Sequence, residues 1–268
     1  MRSLSIPKVI LNYIDGSKSN EELISASAKS YKILNNGNPE ISIVIPAYNE
    51  EANIVSTLTS LCNNKTAHIL EIIVVNNNSV DDTERLVRAF GVSCINEIKQ
   101  GITNARNAGL ASASGTYILN ADADTIYPPD WVEQMVKPLM DPKNSITYGR
   151  FSLIPTGSAK RSIYFVYEYF TEITRWIESK TKDEAVNVYG FNSGFRREQG
   201  LSVGGFNHPE GTNEDGHLAF KLRNKGFGKL FRVTAPSALV WTTDRRIQID
   251  GGLVKASVKR LKRLLRMK

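Results

Sequence analysis

Two carboxylates one residue apart, Asp122 and Asp124, follow an apolar run that ends at Leu119. Like charges buried that close together repel unless a cation or strong donors neutralise them. A divalent cation does this naturally, since Mg²⁺ and Mn²⁺ prefer oxygen ligands and Mg²⁺ sites commonly combine one or two carboxylates with substrate phosphates. The expectation is a doubly charged ion bridging the pair to a diphosphate. A bare Asp-x-Asp occurs by chance in many proteins, and its place at a strand end lifts this one above that background.

Three further polar clusters stand where strands should end. Pro46-Ala47-Tyr48-Asn49-Glu50-Glu51 offers a ring for stacking and acids at a helix start, and it also reads as an ordinary N-cap, with Pro46 stopping the strand ladder. Asn76-Asn77-Asn78-Ser79-Val80-Asp81-Asp82-Thr83 places short amides that tolerate left-handed backbone, either facing a nucleobase edge or building a turn. In the helical stretch Gly101 to Gly109, Arg106 reaches a phosphate or base, or is a surface charge. Glu214 and Asp215, beyond a Gly-rich stretch, read on their own as first-turn acids of a helix running to Leu222.

The elements that must position these residues follow from hydrophobic periodicity. Continuous apolar runs at 41–45, 69–75, 92–95 and 116–119 alternate with helical spacing at 53–61, 82–90 and 102–111. Strands without polar alternation, separated by helices, predict an α/β fold with a mostly parallel sheet covered on both faces. Ligands then collect at the carboxyl ends of the strands. Later, 128–140 reads as a helix, 146–153 as a strand, and 163–177 as a long helix carrying Tyr164, Phe165, Tyr167, Tyr169, Phe170 and Trp176, expected in the core ahead of the alternative, a membrane interface. Before all of these lies a polar extension, 1–40, with a short helix at 21–34.

At 268 residues and 41% apolar composition the chain supports one large core, so the expected organisation is an extension (1–40), one catalytic domain (41–250) and a tail (251–268). No stretch approaches the roughly 20 apolar residues of a membrane span, which points to the cytosol. Cys62 and Cys94 lack metal-site spacing and read as buried thiols. The net charge of +7 belongs to the tail, which holds seven basic residues and no acids, leaving the rest neutral. Val254, Val258, Leu261 and Leu265 share one helical face among Lys255, Lys259, Lys262 and Arg263. Such a basic amphipathic helix either lies on the cytoplasmic face of a membrane or packs on the domain with its charges solvated. Nucleic acid is not an expected partner.

Taken together the clusters resemble glycosyltransferase family 2 of the GT-A fold. The likeness covers about 41–246: IPAYNEE at 45–51, VVNNNSVDDT at 74–83, GITNARNAG at 101–109, DAD at 122–124, NSG at 192–194, GGF at 204–206, and ED at 214–215 followed by Leu218 and Arg223. Each motif alone is weak, and their order and spacing as a set are specific. The resemblance implies a metal-dependent inverting transferase that moves a sugar from a nucleoside diphosphate, UDP above others, to a hydroxyl of a glycan or lipid-linked acceptor in polysaccharide synthesis. It implies Pro46, Tyr48 and Glu50 around the nucleoside, with Asn76 and Asn78 at the base and Arg106 nearby. Asp122 would face the ribose or the metal, Asp124 would bind Mg²⁺ or Mn²⁺, and Ser193 and Gly194 would line the donor–acceptor junction. Asp215 would be the catalytic base, with Glu214 beside it.

Two departures stand out. Asn76 occupies a place where the family often has Asp, which loosens the nucleobase assignment. Where some members have a metal-binding His, this chain runs Val240-Trp241-Thr242-Thr243-Asp244, leaving a third ligand unassigned; Arg245 and Arg246 are candidates for diphosphate or acceptor. A sugar nucleotidyltransferase is the alternative enzyme, but no opening Gly-rich loop with a following Arg and Lys is present. A non-catalytic membrane-associated binding protein would explain the tail but not Asp122, Asp124 and Asp215.

Overall fold

The unbroken apolar runs become the centre of a sheet. Ile41, Ile43 and Ile45 face one side of the first strand and Val44 the other, and all four are buried, as a strand covered by helices on both faces requires. The computed structural model describes residues 2–265. It opens with helices α1 (Lys8–Leu11) and α2 (Asn20–Leu34), then β1 (Ile41–Ala47), α3 (Ile54–Cys62), β2 (Leu70–Asn76), α4 (Thr83–Ala89) and β3 (Ser93–Asn96). There follow α5 (Ile102–Ser112), β4 (Tyr117–Asn120), β5 (Thr125–Ile126), α6 (Trp131–Val136), β6 (Asn144–Tyr148), β7 (Phe151–Ile154) and α7 (Arg161–Thr181). The chain continues with β8 (Ser193–Arg196), α8 (Arg197–Ser202), α9 (Glu214–Asn224), β9 (Lys229–Arg232), β10 (Val240–Thr243), α10 (Arg245–Ile249) and α11 (Leu253–Leu265).

Seven strands pair in the order β3-β2-β1-β4-β8-β6-β9, and three more in the order β5-β10-β7. The first four run parallel, and β8 is antiparallel to both β4 and β6. The expected mostly parallel α/β sheet is therefore present, with one apolar cluster on the α3 and α6 side and another on the α5 and α9 side. The polar extension also packs on this body: α2 seats Tyr31 against β2, whose Ile72 N–H donates to the Tyr31 hydroxyl, and Ile10 joins Ile126 and Trp241 in a third small cluster.

Three sequence expectations change. Pro46 does not stop the ladder, because pairing with β2 continues to Ala47↔Asn76. Pairing with β4 has already ended at Val44↔Asn120, so the missing proline N–H falls where only one neighbour remains. The run at 146–153 splits into β6 and β7, which join different sheets.

The third change concerns α7, whose polarity is inverted. Its buried residues are Tyr164, Glu168, Thr171, Thr174, Arg175 and Glu178, whereas Ile163, Val166, Tyr169, Ile173 and Trp176 are exposed. Aromatic content suggested a core helix. Instead Glu168, Arg175 and Glu178 meet buried hydrogen-bond and ion-pair partners inside, which leaves the apolar stripe facing out.

Candidate active site

The loops after β1, β2 and β3 are stitched together by the polar clusters themselves. Asn49 and Asn78 have φ of 53° and 65°, the left-handed backbone that asparagine tolerates. Asn49 Oδ1 accepts Val80 N–H at 2.9 Å, Glu50 N–H donates to Thr83 Oγ1 at 2.8 Å, and Asn77 ties the third loop through Gly101 N–H at 2.8 Å. Asn76 is buried; its oxygen accepts Ser79 N–H at 3.1 Å and its amide donates to Asn96 at 3.0 Å. Asn78 donates to Ile98 O at 2.6 Å. Of the two readings of this cluster, nucleobase edge or turn, the loop-holding one is visible in these hydrogen bonds, while Asn78 stays exposed. Tyr48 keeps its ring half exposed beside the buried end of β1.

Arg106 is neither a surface charge nor free to reach a base. It is 1% exposed, placed beneath the ends of β1 and β4 by α5, which approaches so closely that a Cβ on Gly109 would collide with Val44. Its Nη1 donates to Ala121 O at 3.1 Å and its Nη2 to Asp122 Oδ1 at 2.7 Å. Its Nε lies 3.9 Å from Asp215 Oδ1. One buried guanidinium therefore joins Asp122, at the end of β4, to Asp215, in the first turn of α9.

Asp215 is 9% exposed and Oδ2 accepts Gly190 N–H at 2.7 Å, while Oδ1 is buried without a hydrogen-bond partner. Burial pushes its carboxyl up to about 7, against the opposing pull of Arg106 and with added repulsion from Glu214 and Asp122. Burial also raises Asp122, which Arg106 counters in part and Asp124 reinforces. A carboxylate titrating near neutrality with an open lone pair is suited to accept a proton.

Asp124 sits where β5 pairs with β10, and the register Thr242↔Thr125 puts Thr243 opposite it. Thr243 Oγ1 donates to Asp124 Oδ2 at 3.0 Å, and Arg245 Nη2 approaches the same oxygen at 3.3 Å. Arg245 also grips Glu50 with both terminal nitrogens, Nη1 to Oε2 at 3.2 Å. Each of the closely spaced acids meets a guanidinium, Asp122 that of Arg106 and Asp124 that of Arg245, so their proximity alone does not demand a divalent ion. Among the described residues no cluster of three or more His, Cys, Asp or Glu is placed to hold a metal ion. The donor set still fits one. Asp124 Oδ1 has only a 3.5 Å contact with Thr125, Asp124 keeps 18% of its side chain exposed, and Arg245 is half exposed on a flexible stem. A carboxylate plus diphosphate oxygens and water is a normal Mg²⁺ environment.

The structure does not bring Ser193 and Gly194 to an open surface. Both lie buried in β8 opposite Asn120 and Leu119, where Asn120 donates to Ser193 Oγ at 3.1 Å and a Cβ on Gly194 would meet Leu119 at 2.5 Å. Arg246 is exposed and makes no ion pair among the described residues. Three residues escaped sequence reasoning. Tyr127 accepts Asp122 N–H at 2.9 Å and donates to Phe191 O at 3.1 Å, Thr243 faces Asp124, and Gly190 lies against Arg106 and Asp215. The signal for Gly190 was a lone glycine between Tyr189 and Phe191 just before the NSG triplet.

Comparison with known proteins agrees with this architecture. A solved mannosyltransferase of Pyrobaculum calidifontis, in complex with GDP-Man and Mn²⁺, superposes with a TM-score of 0.60 at 21% identity over 95% of this chain and 76% of that one, a likeness of GT-A fold. The glucosyl-dolichyl phosphate glucuronosyltransferase of Haloferax volcanii is 24% identical over 193 residues, 67% of this chain and 59% of that protein. An Escherichia coli UDP-Glc:alpha-D-GlcNAc-diphosphoundecaprenol beta-1,3-glucosyltransferase is 31% identical over 122 residues, 44% of this chain and 48% of that protein. The chain thus spans about half the length of these curated relatives. The family model for glycosyl transferase family 2 matches residues 42–199, and with more than half of its length so matched the chain belongs to glycosyltransferase family 2.

Proposed function

We propose that the chain transfers a sugar, with inversion, from a nucleoside diphosphate donor to a hydroxyl of a glycan or lipid-linked acceptor. The observation that carries this is the buried Arg106 linking Asp122, beside the donor loops, to Asp215, whose Oδ1 lacks a partner. The nucleoside lies along the stitched loops with Tyr48 against its base, and Asp122 faces the ribose. Asp124 would hold a Mg²⁺ or Mn²⁺ ion, which would supply Lewis-acid neutralisation of the diphosphate. Asp215 takes the proton of the acceptor hydroxyl as its oxygen bonds to the anomeric carbon. The bond from that carbon to the diphosphate breaks and the electron pair leaves with the nucleotide. Arg106 holds Asp122 and Asp215 in fixed relation, and Tyr127 fixes the main chain at Asp122.

Proton NMR of the product from a UDP-sugar panel tests this. The anomeric configuration should invert, and Asp124→Ala in chelator-treated buffer should lose at least a hundredfold in turnover; near-native turnover in that variant contradicts the scheme.

Attachment to a membrane surface is favoured by a separate observation. Among the described residues no helix is long and apolar enough to cross a membrane. However, α11 packs beside α7 with Ala256 and Arg260 turned inward, leaving Val254, Val258 and Leu261 exposed among Lys255, Lys259 and Lys262. An exposed apolar stripe with flanking lysines suits an anionic lipid surface. The side chains of Arg263, Leu264 and Leu265, and residues 266–268, lie outside the described residues. Removal of residues 253–268 should abolish cosedimentation with anionic vesicles; unchanged binding contradicts attachment through this helix.

A further inference from the structure

A cavity of about 230 Å³ opens between α7, the turn at 184–187 and the ends of β6 and β9. Its lining sets three cations, Arg175, Lys180 and Arg232, against one acid, Glu184, and that acid already accepts the Tyr148 hydroxyl at 2.7 Å. Arg175 is 2% exposed; Nη2 donates to Asn187 O at 2.7 Å and its plane stacks on Tyr189 at 5.0 Å. Its Nη1 is buried with no hydrogen-bond partner, and so is Arg232 Nε.

The nearby carboxylates are already engaged: Arg2 pairs with Glu168 and Glu172, Arg232 of the lining itself shares Glu172, and Arg260 pairs with Glu178, which leaves Arg175 and Lys180 as the lining cations without a carboxylate partner among the described residues. Burial lowers the pKa of Arg175, Arg232 and Arg150, and Arg2 lowers each further. An arginine cannot shed its proton to relieve this, so buried guanidinium donors without acceptors call for an anion. Planar guanidinium groups in the lining of a cavity suit phosphate oxygens. The volume lies below that of a drug-sized ligand site, so it holds a phosphate group and its nearest atoms rather than a sugar nucleotide.

The place of the cavity gives it a role. Asn187, which binds Arg175, precedes by three residues Gly190, which binds Asp215, a span of roughly 10 Å of chain at most. We infer that the cavity is the anion-binding part of the acceptor site. It takes the phosphate or diphosphate ester of the acceptor and directs the acceptor hydroxyl toward Asp215. The acceptor role rests on the transferase reading above; anion binding does not. Trp176 joins the cavity to the exposed stripe of α7, a position open to a lipid-linked phosphate and to a water-soluble phosphate ester alike.

Calorimetric titration of the full chain with farnesyl phosphate, farnesol and glycerol 3-phosphate tests this, beside a control titration with UDP and Mn²⁺. Farnesyl phosphate should bind at least tenfold more tightly than farnesol. Lys180→Ala, at an exposed position, and Arg232→Gln should each weaken phosphate binding about tenfold and leave UDP binding unchanged. Glycerol 3-phosphate binding as tightly as farnesyl phosphate supports the site with a soluble acceptor, and tighter farnesyl phosphate binding supports it with a lipid-linked one. Equal binding of farnesyl phosphate and farnesol, or native phosphate affinity in Lys180→Ala and Arg232→Gln, overturns the proposal. Loss of UDP binding alone would count against the transferase reading and leave this site standing.

Discussion

Asp215 Oδ1 lies 3.9 Å from Arg106 Nε, close enough for the charges to interact and too far for a hydrogen bond, so both atoms are buried and unpartnered. Two buried polar atoms left unmet cost stability, so the pair is a candidate for function rather than for structural support.

The first prediction concerns Asp215 itself. With its carboxyl raised to about 7, the proton-accepting form builds up as pH rises, so kcat/KM should climb with unit slope and level off above about 7. Asp215→Asn should lower kcat by a factor of roughly 10² to 10⁴ and leave UDP affinity within about threefold. The same shift has a stability consequence. Between about 4 and 7 the unfolded carboxyl is ionised while the folded one keeps its proton, so this group reduces stability as pH rises through that window. Above 7 the cost is constant, at most roughly 4 kcal/mol. Chemical denaturation at pH 5 and pH 8 should therefore show a smaller loss in Asp215→Asn than in the native chain.

Gly190 is needed for space. An added Cβ would lie within 2.7 Å of both Asp215 oxygens and closer still to Arg106 Nη2, and the backbone there is not left-handed. Gly190→Ala should therefore destabilise by about 1 to 3 kcal/mol through overpacking. It should also reduce kcat at least tenfold with little change in donor KM. A variant with native kcat would show that the Arg106 and Asp215 geometry is not what sets the rate.

Arg245 holds Glu50 and Asp124 in the structure, yet it is half exposed and can leave. Removing a positive charge beside Asp124 should favour a cation there, by a modest factor because solvent screens the pair. Arg245→Gln should bind Mn²⁺ about fivefold more tightly without nucleotide, and UDP about fivefold more weakly with Mn²⁺ present. Unchanged values for both would reduce Arg245 to a surface ion pair.

The parallel half of the fold was legible because strands buried on both faces leave continuous apolar runs, as at 41–45 and 69–75. That topology also places the polar clusters at strand ends. Burial of charge was not legible: nothing in the local sequence says that Arg106 lies beneath the sheet, or that Glu168 and Arg175 turn inward while Tyr169 and Trp176 face out. Asn76 to Asn78 looked like ligand contacts because a side chain that stitches loops has the same chemistry as one that reads a base. Gly190 and Thr243 depend on a long-range approach and on strand register, which no local spacing encodes.

Whether the nucleotide is held through a divalent ion on Asp124 is tested most directly by calorimetric titration of UDP, GDP and dTDP, with and without Mn²⁺, into the native chain and Asp124→Asn. The account predicts that UDP binds most tightly, that Mn²⁺ strengthens it at least tenfold, and that Asp124→Asn removes the gain. Equal affinity with and without Mn²⁺ in the native chain, or a full Mn²⁺ effect in Asp124→Asn, would contradict it.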